Sequence, residues 1–273
     1  MSDCKSCPSN SSCSKDKEQC GVNNPLNNIK KIIGIMSGKG GVGKSSISVM
    51  IARQLNQMGF NVGLLDADIT GPSIPRLLGL KDDKAMGDDK YIYPVETADG
   101  IKAMSLNFLI EDENLPVIWR GPVITGTVQQ FYSDVLWGDL DYLIIDMPPG
   151  TGDVALTVMQ SIPMDGIVMV SVPQDMVSMI VAKAVNMAKK LDIHVLGIIE
   201  NMSYVQCPGC NEKIKLFDSE NTEKFIRDND LFLLGELPMT KAVSSLSSSE
   251  YDALKGELWD LFNPVVMNIL RRL

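Results

Sequence analysis

The chain has 273 residues, 45% of them hydrophobic and 22% charged, with a formal net charge of −9 at pH 7. That length suits one large α/β domain or two small ones, and the acidic balance disfavours broad nucleic-acid binding through phosphate contacts. No apolar run approaches the roughly eighteen residues a membrane helix requires, and no apolar stretch follows Met1-Ser2-Asp3-Cys4-Lys5 as in a secretory leader. A globular cytoplasmic protein is expected, with no membrane and no nucleic-acid partner.

Residues 1–28 are rich in Ser, Asn, Lys, Asp and Cys and nearly devoid of apolar side chains. Such a segment cannot form a core and is expected to order only around a metal, leaving 29–273 as the folded domain. Cys4, Cys7, Cys13 and Cys20 fall in this segment, and Cys207 and Cys210 form a pair near the other end. In a reducing compartment, cysteines so placed read as metal ligands or redox thiols rather than disulfides.

The run Ile32-Ile33-Gly34-Ile35-Met36 predicts a buried strand over 31–36, and Ser46 to Leu55 predicts a helix over 44–58. Between them lies Gly38-Lys39-Gly40-Gly41-Val42-Gly43-Lys44-Ser45, in the strand–loop–helix setting a phosphate-binding loop needs. The glycines let consecutive N–H groups turn toward phosphate oxygens, and the helix start adds its positive dipole end at the same place. Lys44 is expected to reach the β- and γ-phosphates and the Ser45 hydroxyl to sit on Mg²⁺. A nucleoside triphosphate is the expected ligand.

A second strand, 61–66, ends in Leu64-Leu65-Asp66-Ala67-Asp68, and a short helix is expected over 73–79. Asp68 is placed to orient an attacking water. Asp66 reads equally as a turn former or a functional carboxylate. The charged stretch Lys81–Lys90 predicts a surface loop, followed by a strand over 101–105 and a helix over 122–137. In the strand 141–146 the run Tyr142-Leu143-Ile144-Ile145 is apolar at every position and ends in Asp146, the arrangement of a carboxylate that holds a Mg²⁺ shell. The turn Pro148-Pro149-Gly150-Thr151-Gly152, ahead of Asp153, can sense a γ-phosphate through backbone N–H groups. Further on, a helix is expected over 153–161, a strand over 166–172, a helix over 176–191 and a strand over 195–200. The single histidine, His194, lies in an apolar run and reads as structural. A helix over 219–228, a short strand near 232–235 and a helix over 250–262, interrupted by Pro264, complete the chain.

Strands apolar at every position mark a parallel sheet covered on both faces. The fold class expected is α/β: one doubly wound, mainly parallel sheet with helices on both faces and its ligand at the carboxyl ends of the strands.

Cys207-Pro208-Gly209-Cys210 forms a tight turn presenting two thiolates to one metal. Two ligands do not fill a tetrahedral site. Either another chain supplies two more, as a two-fold dimer would, or the pair is a redox disulfide. Four thiolates suit a [4Fe–4S] cluster or Zn²⁺, and spacing alone does not separate these.

The phosphate loop with its second lysine, Lys39, together with Asp68 and Asp146, resembles the deviant-Walker ATPases that include MinD, ParA and the nitrogenase iron protein. Four further stretches resemble the Mrp/ApbC-type iron–sulfur cluster carriers: Asp68-Ile69-Thr70-Gly71-Pro72-Ser73-Ile74-Pro75, Trp119-Arg120-Gly121-Pro122, Trp137-Gly138-Asp139-Leu140-Asp141-Tyr142, and Glu200-Asn201-Met202-Ser203-Tyr204 leading into Cys207 and Cys210. The resemblance runs over about residues 30–240. It implies a P-loop fold of the SIMIBI type, ATP rather than GTP, and a homodimer in which Lys39 reaches the partner's nucleotide. It also implies slow hydrolysis coupled to handling a [4Fe–4S] cluster that bridges the dimer and passes to apo-proteins. By the same resemblance Asn201 and the loop around Pro238 contact the adenine, and Gln174 lies near the nucleotide.

Some members of that family carry a second, N-terminal [4Fe–4S] site in which a lone cysteine precedes a C-x2-C-x5-C group. Cys4, Cys7 and Cys13 reproduce the group and Cys20 stands in from the other side; zinc or no metal are the alternatives there. Two stretches, Phe217–Lys224 and Lys241–Ser249, depart from the family pattern. Two rival readings follow from the wider group: a positioning ATPase like MinD or ParA, and an electron-transfer ATPase like the nitrogenase iron protein. In the tail, Glu250, Asp252, Glu257 and Asp260 outnumber Lys255, Arg271 and Arg272, which disfavours attachment to an anionic membrane. The cluster cysteines of the nitrogenase protein are far apart rather than in one turn.

Overall fold

The fully apolar runs become the inner strands of one twisted sheet, because only a strand covered by helices on both faces buries side chains pointing both ways. A computed structural model describes residues 24–69, 71–110, 121–173, 175–207, 209–210, 212–215, 220–240 and 251–273. Cys4, Cys7, Cys13, Cys20, Thr70, Trp119, Arg120, Gln174, Pro208 and the stretch 241–250 lie outside the described residues, as do the readings made on them.

In chain order the elements are β1 (Asn28–Ser37), α1 (Lys44–Gln57), β2 (Val62–Asp66), α2 (Ile74–Leu78), β3 (Met86–Gly87), β4 (Ile92–Tyr93), β5 (Val95–Glu96) and β6 (Lys102–Met104), then a 3-10 turn (Leu106–Phe108). They continue with α3 (Gly121–Ser133), β7 (Asp139–Asp146), α4 (Asp153–Ser161), β8 (Gly166–Ser171), α5 (Asp175–Lys190), β9 (Val195–Gln206), β10 (Lys213–Ile214), α6 (Glu220–Asp228), β11 (Leu233–Pro238) and, after the stretch that is not described, a long C-terminal helix, α7 (Tyr251–Arg272).

The nine-stranded sheet has the order β10-β9-β8-β1-β7-β2-β6-β5, with β11 also on β9. Strands β1, β2, β6, β7, β8, β9 and β11 run parallel, while β5 and β10 pair antiparallel at the margins. One face buries Phe131, Trp137, Leu143, Ile145 and Met169. The other buries Ile33, Ile35, Ile47, Ile51, Leu64 and Phe262. Trp137 is fully buried, and its indole N–H donates to the Phe131 carbonyl at 3.1 Å, which satisfies the one polar atom it takes into the core.

The expected C-terminal helix is longer than the sequence suggested. Pro264 does not end it; α7 continues to Arg272. Pro264 and Asp260 both face solvent, so the carbonyl that loses its partner can be hydrated instead. The buried positions Leu258, Phe262, Val265, Val266 and Ile269 continue one helical stripe straight through the proline. This stripe packs on α1 and β11, so the tail is spent on the core. No helix among the described residues is long and apolar enough to cross a membrane. Phe262→Ala is expected to lower stability by about 3–5 kcal/mol, as for other buried aromatic truncations. Urea unfolding measures this, and an unchanged midpoint contradicts the docking of α7.

Two other expectations change. Part of the stretch 81–90 is not plain loop: Met86 and Gly87 pair antiparallel with Tyr93 and Ile92, and the Asp88 carboxylate closes the turn by accepting the N–H groups of Lys90 and Tyr91 at 2.8 Å each. His194 stands exposed just before β9; its carbonyl accepts the Ile167 N–H at 2.9 Å, while its side chain is not part of the core.

Candidate functional site

Parallel register brings the acidic residues together. Asp146 at the end of β7 lies beside Ile35 of β1 and beside Asp66 of β2, at the carboxyl edge of the sheet. Helix α1 begins over this point. Lys44 Nζ lies 2.8 Å from Asp146 Oδ2, and the Ser45 hydroxyl donates to the same oxygen at 2.6 Å. The Ser48 hydroxyl donates to Asp146 Oδ1 at 2.7 Å. The Asp146 side chain is 0% exposed and that of Lys44 7%, so the ion pair is insulated from solvent screening. Ser48 was not singled out in the sequence. It stands three residues after Ser45 on one helix face, a spacing too common among helix serines to mark it out.

Asp66 is buried beside this pair. Burial pushes its carboxyl up to about 8, the Asp146 charge adds to the rise, and Lys44 opposes it. The Asp66 side chain accepts the Asp68 N–H at 3.2 Å, the Ile74 N–H at 3.3 Å and the Ser105 hydroxyl at 3.1 Å. It therefore ties down the segment from β2 to α2 that carries Asp68. Asp68 itself is half-buried, two residues beyond the strand end.

The loop before α1 has the shape that phosphate requires. Gly43, at the helix N-cap, has φ 85°, and no side chain caps the helix. A Cβ at Gly40 or Gly41 would meet nothing within 4 Å, so the loop backbone is open at these positions. A Cβ at Gly43 would come within 2.3 Å of Asn201 Nδ2. Open backbone at a helix start, one buried lysine, and a hydroxyl beside a carboxylate fit a nucleotide phosphate chain with Mg²⁺, an ion that takes oxygen ligands. Ser46 follows Ser45 in the first turn. The turn ahead of α4 closes on the same loop, since the Gly150 N–H donates to the Ser37 carbonyl at 2.8 Å. The Ser37 hydroxyl in turn donates to the carbonyl of Lys39, which is half-buried.

The two glycines make a paired prediction. Gly40→Ala should leave stability unchanged, whereas Gly43→Ala should destabilise through its left-handed backbone and the Asn201 clash. Both should weaken nucleotide binding by about tenfold or more, ~1.4 kcal/mol. Calorimetric titration and thermal melting check this; full affinity in Gly40→Ala contradicts the assignment of the open backbone to phosphate.

Asn201, read in the sequence as an adenine contact, is buried beneath the loop, and its Nδ2 donates to the Val42 carbonyl at 2.9 Å. Pro238, the other adenine candidate, ends β11 opposite Tyr204 of β9. Both flank the phosphate loop's side of the sheet edge.

Strand β9 runs on past the sheet edge and turns back as β10 through the cysteine pair. Cys207 is half-buried and Cys210 exposed; both are free thiols. The Cys207 N–H donates to the Glu212 carbonyl at 2.9 Å and closes the turn. The N–H groups of Gly209 and Cys210 are directed at Cys207 Sγ and hold its thiol below the ordinary thiol range. A turn that stabilises a thiolate without any charged partner is suited to binding a metal through sulfur. Among the described residues no group of three or more His, Cys, Asp and Glu side chains could hold a metal ion, so this turn offers two ligands and no third.

A doubly wound parallel sheet with a phosphate loop between β1 and α1, and a carboxylate at the end of β7 beneath it, defines a P-loop NTPase. Comparison with known proteins narrows this class. Residues 28–272 match the family described as the NUBPL iron-transfer P-loop NTPase. The chain belongs to this family. It is 44% identical over 272 residues to an iron-sulfur cluster carrier protein of Clostridium perfringens, covering 93% of this chain and 95% of that one. Among solved structures, a nucleotide-binding protein of Archaeoglobus fulgidus in complex with ADP is 42% identical with a TM-score of 0.71, covering 80% of this chain and 86% of that one. The MinD cell division protein of Aquifex aeolicus superposes with a TM-score of 0.63 at 18% identity, covering 88% and 96%, a likeness of fold alone.

Proposed function

We propose that this chain is an iron–sulfur cluster carrier that binds and hydrolyses ATP, assembles a [4Fe–4S] cluster and hands it to apo-proteins. The observation that carries the reading is the thiol pair Cys207/Cys210, held in a thiolate-stabilising turn on the strand that also touches the phosphate loop. Neither a positioning ATPase nor an electron-transfer ATPase of the nitrogenase kind accounts for that turn, and family membership favours the carrier.

In this reading Gly38 to Ser46 hold the phosphates through backbone N–H groups, with Lys44 on the β- and γ-phosphates. Ser45 and Asp146 would hold Mg²⁺, which would supply positive charge against the developing charge on the phosphates. Asp68 orients the attacking water. Lys39 crosses to the partner subunit's nucleotide in a homodimer. Asn201 and Pro238 border the base. Two thiolates per chain, from Cys207 and Cys210, grip the cargo cluster at the two-fold axis, and sharing it between chains leaves few ligands to break on release. Cys4, Cys7, Cys13 and Cys20, in the segment 1–28, hold a second cluster. The compartment is the cytoplasm, and the recipients are apo iron–sulfur proteins.

The test is anaerobic reconstitution with iron and sulfide followed by transfer to an apo-enzyme that requires a [4Fe–4S] cluster. Recovery of recipient activity with loss of the donor's visible absorbance is expected. A colourless protein that binds zinc and activates no recipient contradicts the proposal.

A further inference from the structure

Between the phosphate loop and the thiol turn, β9 is not a regular strand. Its pairing with β11 passes from Glu200↔Glu236 to Tyr204↔Pro238, so Asn201, Met202 and Ser203 lie opposite Leu237 alone. Met202 has φ 54°, in the left-handed region. Among the described residues the other non-glycine residues with positive φ are Asp192 and Asp230, whose short polar side chains tolerate that backbone. A methionine held there inside a strand is strained by about 1 kcal/mol or more and persists only where its surroundings force it.

The surroundings are specific. On one side, Asn201 Nδ2 holds the Val42 carbonyl, and the Met202 methyl would lie 3.8 Å from a Cβ at Gly43. Across the kink, the Ser203 hydroxyl donates to Glu200 Oε2 at 2.7 Å. Glu200 is 2% exposed and its Oε1 has no hydrogen-bond partner among the described residues. A buried carboxylate oxygen left unsatisfied is costly, and a core built for stability alone would not keep it.

Beyond the kink the chain is stiff again. The Tyr204 carbonyl accepts the Met239 N–H at 2.8 Å, Lys213 Nζ sits 4.5 Å from the centre of the Tyr204 ring, and Val205 and Gln206 pair with Ile214 and Lys213. Cys207 follows directly. From Met202 to Cys207 is five residues, roughly 17 Å of extended chain, so a turn of about 10° at Met202 swings the thiol by about 3 Å.

We propose that Asn201–Ser203 form a joint through which the phosphate loop sets the position of the Cys207/Cys210 turn, with Met202 and Ser203 as positioning residues. The link is a single peptide plane. The Val42 C=O and Gly43 N–H are opposite ends of one rigid trans unit. With the carbonyl fixed on Asn201, the N–H is directed the opposite way. A phosphate taken up by that N–H fixes the plane, the plane fixes Asn201, and Asn201 fixes the kink. The thiol turn is then held in one orientation rather than free to swing. This rests on the carrier reading for its purpose, since a cargo site that responds to nucleotide is what a carrier needs.

The test reads the thiols directly, in full-length, cluster-free protein. Cys207 is alkylated with iodoacetamide and followed by peptide mass spectrometry, with and without Mg²⁺ and a non-hydrolysable ATP analogue, in the parent, Met202→Gly and Ser203→Ala. In the parent the analogue is expected to slow Cys207 alkylation about fivefold, the low end of ordinary coupling between two sites. Both variants should bind the analogue as the parent does and lose most of that effect. If the variants keep the full protection, association of subunits alone shields the thiols and the joint is refuted. An absent effect in the parent refutes it as well. A parent that responds as described but takes up no iron and sulfide leaves the joint standing and removes the carrier reading.

Discussion

Lys44→Ala is expected to abolish ATP hydrolysis and to destabilise the fold by about 3–5 kcal/mol, the usual cost of removing one partner from a buried ion pair. The large effect follows from burial. Asp146 is fully enclosed and Asp66 lies beside it, so one ammonium group offsets the Asp146 charge and also opposes the rise of the Asp66 carboxyl. Ser45 and Ser48 still donate to Asp146 after the substitution but bring no positive charge. The loss should depend on pH in a definite direction. The Asp66 carboxyl binds its proton more tightly in the folded than in the unfolded chain, so its contribution to stability is full below about pH 4. That contribution is lost as pH rises through about 8. Lys44 opposes the rise, so removing it steepens the fall. The variant should therefore lose more stability at pH 9 than at pH 6, read as urea midpoints in the presence of a chelator. Equal losses at both pH values contradict the placing of Lys44 between the two carboxyls.

Cys207→Ala with Cys210→Ala is expected to do the reverse. Both side chains lie at the tip of the β9–β10 hairpin, half-buried and exposed, outside either core. Stability should change by no more than about 0.5 kcal/mol, as for most surface substitutions. ATP hydrolysis should persist, while delivery of a cluster to a recipient is lost. Delivery at the parent's rate by the double variant contradicts the assignment of this turn as the cargo site. The opposite signatures of the two substitutions, one on hydrolysis and stability and one on delivery alone, separate the nucleotide site from the cargo site.

The inner strands of the sheet were legible because each carries an all-apolar run, and those runs are found as parallel strands, whereas the short margin strands β5 and β10 carry no such run. The phosphate loop was legible because glycine spacing, Lys44 and Ser45 are a local pattern. What escaped was not local. Ser48 and Ser105 matter through the carboxylates they reach, and nothing in a linear reading distinguishes a serine that points at a buried Asp146 or Asp66 from one that faces water. Asn201 was placed near the nucleotide by resemblance, but its contact with the Val42 carbonyl depends on β9 lying beside the phosphate loop, a relation across 159 residues. The left-handed Met202 had no signal at all, since methionine carries no preference for that backbone. Pro264 misled for the opposite reason. Its local rule is strong, but a helix exposed at that point and buried on its other face outweighs it.

Two thiol turns, one from each chain, are proposed to enclose a [4Fe–4S] cluster. This enclosure is tested most directly by iron and acid-labile sulfide analysis with Mössbauer spectroscopy on full-length protein in which Cys4, Cys7, Cys13 and Cys20 are replaced by serine. Only Cys207 and Cys210 then remain. A dimer holding about four iron and four sulfide, all in one cubane environment, is the predicted result. A monomer, or a dimer whose cysteines hold zinc in place of iron, would contradict it.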